Sequence, residues 1–376
     1  MIKNGDNMKY KTLGSTKLKV SVIGFGAIKL PEIPVEEAKE LLNKALDLGI
    51  NFIDTARNYK DSETKIGVAL KERRDEFYVA TKTHQRDYDG AYKDILRSLK
   101  ELQTDYIDIY QLHTVSTKRE FNKVMANNGA LKALKRAKQE GLIGHIGISI
   151  HRDLDVMRMA IESGEFETIM LAYNPLDPEG VEREGILKLA KEHDMGIIIM
   201  KPLSGGQLVT METELGKRLG NDPVVRASLR YILSNKYVDT VIPGMRRLAE
   251  LEENVLVADM PPLSEEEKEE LFKLIGRLRK SYRYGQVCLR CGYCMPCPKG
   301  IPIPEVFRAY DIYMGYPEEV RDLGLRLYSS LKVKPTECVE CRTCVSKCPA
   351  GIDIPTRLKE IVKVMEQALA QSSSIL

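Results

Sequence analysis

Cysteine is missing from the first 287 residues of this chain; all eight lie at position 288 or beyond. That absence excludes a disulfide framework for the larger part of the protein. No apolar run approaches the ~20 residues of a transmembrane helix. The opening, MIKNGDNMKYK, lacks the apolar core of a signal peptide. The expectation is a cytoplasmic protein with no membrane association. Charge is nearly balanced, Lys+Arg 57 against Asp+Glu 54, which argues against nucleic acid or an acidic membrane as partner. No G-x-G-x-x-G follows the first apolar run, which argues against a doubly wound dinucleotide-binding sheet.

What is present is a repeat. Eight short apolar runs, VSVIGFG, NFIDTA, FYVATK, YIDIYQLH, HIGISI, TIMLAYN, GIIIMK and TVIPG, alternate with amphipathic stretches between Val20 and Met245. Each run is short enough for a strand and apolar enough to be buried on both faces. The intervening VEEAKELLNKALDLG and ALKALKRAKQEG carry apolar residues three and four apart and close on Gly49 and Gly141. Eight such units predict an α/β fold of the (β/α)8 TIM-barrel type. MKYKTLGSTKLKV reads as a β-hairpin around Gly14 and Ser15, plugging the barrel from below.

Pro261 and Pro262 break the chain after the barrel. Ser264 and Glu267 predict a capping box for a helix reaching about Ser281, acidic at its start and basic at its end. The expected division is a barrel over 1–260, a linker helix over 261–282, and a cysteine-bearing domain over 283–376. Helices are expected within that domain around Ile303–Tyr313 and Thr356–Ala370.

Barrel chemistry sits at the C-terminal strand ends. The second run ends in Asp54, with Tyr59 in the loop beyond; the third ends in Lys82 and the fourth in His113. Neighbouring strands lie about 4.8 Å apart, so these side chains can share one pocket. A tyrosine titrates near about 10, and a buried ammonium beside it favours the phenolate. An aspartate would keep that lysine charged, and the histidine can orient a carbonyl while Tyr59 protonates its oxygen. Singly, His113 reads as a structural residue and Asp54 as a helix cap; four matching types at three successive strand ends do not.

GINFIDTARNY, VATKT and YQLH, in this order, resemble the signature regions of the aldo-keto reductase family. The resemblance covers about Met8 to Ala258. It implies an NAD(P)H-dependent carbonyl reductase with Asp54, Tyr59, Lys82 and His113 catalytic and Tyr59 as general acid. It further implies Ser149 in GISI as a holder of the nicotinamide amide, although the adjacent family Asn is Ile150 here. Met170 and Met200 stand where many members have Gln and Tyr, and Asn174 in YNP is the substitute for the former. The loop from Lys201 through Leu203 and Gly205 to Gly206 can present backbone N–H groups to a pyrophosphate. IPGMRRLAELEEN resembles the adenosine segment, with Pro243, Gly244, Glu253 and Asn254 in matching places. The cations expected for a 2′-phosphate fall on Gly244 and Glu250, leaving Arg246 or Arg247 to substitute. NADPH, with NADH as the second choice, is the cofactor this implies.

The cysteines form two runs: Cys288, Cys291, Cys294, Cys297-Pro, and Cys338, Cys341, Cys344, Cys348-Pro. The second has the bacterial ferredoxin spacing; the first is one residue shorter before its last cysteine. A triplet plus Cys-Pro fits two 4Fe–4S clusters, the fourth thiolate crossing to the other cluster. One cluster would then take Cys288, Cys291, Cys294 and Cys348, the other Cys338, Cys341, Cys344 and Cys297. Four sulfurs also suit zinc, but zinc sites arise from separated C-x2-C pairs. The spacer between the runs, with its helical pattern, resembles a mainly α-helical dicluster ferredoxin-type domain.

The leading expectation is an oxidoreductase reducing an aldehyde or ketone by hydride transfer, with a small-molecule carbonyl substrate and a possible redox partner protein. The alternative is an iron–sulfur electron-transfer or redox-sensing protein that uses the barrel as a docking scaffold.

Overall fold

The computed structural model describes residues 8–151, 153–176, 185–210, 223–277, 288, 290–348 and 350–373. These residues fall into two compact units. One lies within Met1–Asn174, Pro178–Pro202 and Ser228–Leu263; the other lies within Pro175–Asp177, Leu203–Ala227 and Ser264–Leu376.

Eight parallel strands build the first unit: β3 (Phe25–Gly26), β4 (Phe52–Asp54), β5 (Tyr78–Thr83), β6 (Ile107–Leu112), β7 (Ile143–Ile150), β8 (Thr168–Ala172), β9 (Gly196–Met200) and β10 (Thr240–Val241). Each pairs with its sequence neighbour. Bridges Ile23↔Val241 and Gly26↔Gly244 join the first strand to the last, so the sheet curls closed as a (β/α)8 barrel. The apolar runs are buried along their whole length in β4, β6, β8 and β9, as strands covered on both faces must be.

The first run divides. Its opening belongs to a hairpin strand, β2 (Lys19–Ser21), which pairs antiparallel with β1 (Tyr10–Thr12), and the barrel receives Phe25–Gly26. The hairpin lies at the N-terminal end of β9, where Ser15 N–H donates to the Asp194 carbonyl at 2.7 Å. Gly14 permits that approach, because a Cβ there would stand 2.2 Å from the Gly196 nitrogen.

Helices follow the strands, among them the amphipathic α1 (Val35–Asp47) and α3 (Tyr88–Leu102) and the largely buried α2 (Ser62–Leu70). The stretch from Ala130 forms a helix to Gln139, and the one after β10 runs Leu248–Leu256.

The second unit is helical. Glu265–Gly276 carries the expected capping box of Ser264 and Glu267. The predicted continuation through Arg279 and Lys280 to Ser281 lies outside the described residues. Helices Ile303–Gly315, Arg321–Ser329 and Ile354–Ser373 enclose a core that includes Val306, Phe307, Tyr328, Leu358, Ile361 and Met365. Gly324 lets two of them meet, since a Cβ there would lie 2.6 Å from the Ala309 carbonyl oxygen. Cys294 belongs to this core, and Cys288, Cys297, Cys338, Cys344 and Cys348 pack against it. Within the same unit the Tyr316 hydroxyl donates to the Gln207 carbonyl at 2.8 Å. Among the described residues no helix is long and apolar enough to cross a membrane.

Candidate active site and cysteine cavities

Parallel pairing puts Lys82 of β5 beside Gln111 of β6, and Asp54 of β4 beside Ala80 of β5. All these strands end on the same rim. Lys82 Nζ lies 2.6 Å from both Asp54 carboxylate oxygens and 2.6 Å from the Thr55 carbonyl oxygen. The Gln111 side-chain amide donates to Asp54 at 3.3 Å. The side chains of Lys82 and Asp54 are only 1% and 4% exposed. Burial pushes the Asp54 carboxyl up and the Lys82 ammonium down, and their mutual attraction opposes both shifts. The bonds from Lys82 to Asp54 and Thr55, and from Gln111 to Asp54, all favour the charged forms against that burial.

Above this pair sits Tyr59, with Lys82 Nζ 5.3 Å from the ring centroid. The Tyr59 ring meets His113 edge-on, centroids 5.9 Å apart. The loop that carries Tyr59 is fixed at both ends. Tyr59 N–H donates to the Ala56 carbonyl, and Ser62 N–H to that of Tyr59, each at 2.9 Å. Arg57 pairs with buried Glu63 and, at 2.8 Å, with Glu101, while Thr81 donates to Glu63 at 2.5 Å. All four predicted side chains are thus gathered at one place.

Sequence reading passed over several neighbours. His84 stacks on His113 at 4.1 Å, and buried His151 adds to the same electrostatic surroundings. Burial, then the positive groups Arg86 and Lys82, push His84 down to about 4. Burial likewise holds His113 well below the ordinary imidazole value, with His84 and Lys82 adding to the effect. Both imidazoles are neutral at pH 7. Two signals marked these residues: His84 shares the strand-end face of Lys82 by period-two alternation, and Gln111 is a polar residue inside an apolar run.

The cofactor candidates divide between the two units. Ser149 is buried on β7, and its hydroxyl accepts the Thr114 N–H at 2.9 Å, next to His113. Buried Asn174 donates to the Lys201 carbonyl at 3.3 Å. Pro243 accepts from Gly26 N–H at 3.0 Å, and Gly244 is exposed beside it. Asn254 is buried and Glu253 half-buried on helix Leu248–Leu256. Arg246 pairs with Glu32 at 3.1 Å and, more loosely, with Glu250 at 3.8 Å; Arg247 pairs with Glu250 at 2.8 Å. Leu203 and Gly205 group with the second unit. There Ser204 donates to the Gln207 side-chain oxygen at 2.8 Å.

The eight cysteines, none in a disulfide, line two cavities in the helical unit. One is walled by Cys288, Cys291, Cys294 and Cys348 with Ile303, Phe307 and Ile354. The other is walled by Cys297, Cys338, Cys341 and Cys344, with Cys294 on a shared wall and Ile301, Pro355 and Leu358 around them. Burial pushes the Cys294 thiol up to about 12, a cost that cationic iron offsets when thiolates bind it. Among the described residues no three His, Cys, Asp or Glu side chains converge closely enough for a single metal ion. The cysteines instead line two cavities, an arrangement that fits multi-atom clusters.

Comparison with known proteins agrees with this architecture. The aldo/keto reductase family model matches residues 22–275, and a 4Fe-4S dicluster domain matches 287–353. The uncharacterized oxidoreductase YqkF of Bacillus subtilis is 28% identical over 299 residues, covering 69% of this chain and 94% of that protein. L-galactose dehydrogenase of Arabidopsis thaliana is 30% identical over 283 residues, covering 66% of this chain and 87% of that protein. The holo form of aldo-keto reductase AKR11C1 from Bacillus halodurans superimposes with a TM-score of 0.62 at 28% identity, over 71% of this chain and 96% of that one. The chain belongs to the aldo/keto reductase family. Within that class it is an aldo-keto reductase-type oxidoreductase that carries a C-terminal 4Fe–4S dicluster domain.

Proposed function

We propose that the protein reduces a small aldehyde or ketone at the expense of NADPH or NADH. The observation that carries this reading is the buried Lys82–Asp54 pair, with Lys82 Nζ 5.3 Å from the Tyr59 ring and His113 against its edge. The nicotinamide, when bound, supplies the hydride. Neutral His113 donates one N–H to the carbonyl oxygen and orients it. Tyr59 gives its proton to that oxygen as charge develops there, and the Lys82 ammonium stabilises the phenolate left behind. Asp54, the Thr55 carbonyl and Gln111 hold Lys82 in place and keep it charged. Ser149, Asn174, Lys201, Leu203, Gly205, Pro243, Gly244, Arg246, Glu253 and Asn254 are the proposed holders of the dinucleotide.

In the same reading residues 1–260 carry the reductase chemistry, 261–282 join the parts, and 283–376 hold two 4Fe–4S clusters. Cys288, Cys291, Cys294 and Cys348 ligate one; Cys338, Cys341, Cys344 and Cys297 ligate the other. The clusters, when bound, supply one-electron transfer. The membership of each cavity wall supports this crossed ligation.

The test is anaerobic purification of the full chain, fluorescence titration with NADPH and NADH, then a carbonyl screen followed by nucleotide oxidation. Binding with carbonyl-dependent oxidation is expected. Failure of both nucleotides to bind would overturn the reductase reading and favour a docking scaffold for the iron–sulfur domain.

A further inference from the structure

We infer that the carbonyl substrate bears a carboxylate next to its carbonyl, gripped by Arg86 and Thr114 beside His113. This rests on the reductase reading and narrows it to a substrate class. Arg86 lies in the loop after β5, its side chain 12% exposed. One terminal nitrogen donates to the Thr114 carbonyl at 2.8 Å and to Glu120 at 3.2 Å. The other terminal nitrogen is buried and, among the described residues, has no hydrogen-bond partner; the same holds for the Thr114 hydroxyl. A cationic donor shut away from water without an acceptor is costly. Tying the β5 loop to the β6 loop needs only the engaged nitrogen and does not account for the second.

Thr114 is placed for this role. Its φ of +52° lies in the left-handed region, which β-branched residues rarely adopt. The Ser149 hydroxyl holds its N–H and Arg86 holds its carbonyl. Strain held in this way concentrates at ligand sites. Thr114 follows His113 directly, and Arg86, bonded to the Thr114 carbonyl, acts on the His113 imidazole as a positive charge, so the two unpartnered donors belong to residues next to the proposed carbonyl site.

The local field agrees. Arg86 and Lys82 both act on the His84 and His113 imidazoles as positive charges. Of the nearby acids, Asp54 is engaged by Lys82, and Asp94 accepts from Thr83 at 2.6 Å. Glu120 faces Arg86, but its side chain is 36% exposed against 12% for the arginine, so water screens the acid more than the base.

Oxamate and oxamide, an unreactive carboxylate and its neutral counterpart, separate the possibilities. Calorimetric binding to the full-length, cluster-containing protein, with and without NADPH or NADH, should give oxamate at least about tenfold tighter, the value of one charge-assisted hydrogen bond. Arg86→Met should bring the ratio towards one, and Arg86→Lys should restore it in part. Equal affinity of the wild-type protein for the two compounds overturns the inference, and that comparison needs no variant to fold. Selective oxamate binding without turnover of any 2-oxo acid would overturn the inferred substrate class and leave the reductase reading standing, whereas failure of both nucleotides to bind would overturn that reading itself.

Discussion

Lys82 Nζ stands 5.3 Å from the centre of the Tyr59 ring while both oxygens of Asp54 hold it at 2.6 Å. The ammonium therefore touches its permanent counter-charge and lies near a phenol that, in the proposed reaction, becomes negative only in the transition state. Removing the hydroxyl alone should leave this arrangement standing and abolish proton delivery. Tyr59→Phe is expected to lower kcat by about 10²-fold or more, the usual worth of a positioned general acid. Single-turnover kinetics with preloaded nucleotide measure it; an unaltered rate would remove Tyr59 from its role.

The pair beneath it makes a stability prediction. Lys82→Met leaves the Asp54 carboxylate buried without its cation, a loss of about 3–5 kcal/mol. Replacing both, Lys82→Met with Asp54→Leu, should recover a large part of that loss, because no uncompensated charge remains. Urea melts of the two variants at matched cluster content give the comparison. A double variant less stable than the single would refute this account of the pair.

The strand ends that carry these residues were readable because chemistry there interrupts an apolar run: Asp54, Lys82 and His113 are charged or polar where burial alone would place valine or isoleucine. The eightfold repeat was legible for the same reason. The first strand was less so, since VSV in the hairpin and FG in the barrel share one unbroken apolar stretch, and only three-dimensional pairing divides them. Arg86 and Thr114 carry no periodic signal at all. Their interest lies in a backbone angle and in hydrogen bonds between loops that are 28 residues apart in sequence.

His84 and His113 are held neutral by burial, so their proton affinity is lower folded than unfolded. Below the ordinary value of 6.5 the unfolded chain binds protons that the native state refuses, and stability falls as pH drops. The contribution of His84 is complete above 6.5 and is lost as the pH descends through about 4. Unfolding free energies measured between those limits should decline, and His84→Phe should flatten the slope. An identical slope in the variant would show that His84 is not the group responsible.

If the dinucleotide binds as proposed, Glu250 is expected to bear on nucleotide choice. Its carboxylate faces Arg246 at 3.8 Å and Arg247 at 2.8 Å, reducing the positive charge that a 2′-phosphate would meet. Glu250→Gln removes that charge and keeps the side-chain volume. The NADPH:NADH affinity ratio should rise by about threefold, the scale of one exposed ion pair. Fluorescence titration of both nucleotides reads it, and a fall in the ratio would place the 2′-phosphate elsewhere.

The proposed crossed ligation would separate two cysteines that neighbour prolines in sequence from the runs they close. Cys348 shares a cavity with Cys288, Cys291 and Cys294, and Cys297 shares one with Cys338, Cys341 and Cys344. If each run held its own cluster, Cys348→Ser would disturb the cluster of the second run; with crossing it disturbs that of the first. Loss of one cluster lowers bound iron from about eight to about four per chain in both cases, so iron content alone does not discriminate. Combining substitutions does. Under crossing, Cys348→Ser with Cys291→Ser strikes one cluster twice and leaves about four irons, whereas Cys348→Ser with Cys341→Ser strikes both and leaves almost none. The reverse pattern, read by iron analysis and electron paramagnetic resonance of the dithionite-reduced protein, would establish that each run closes on itself.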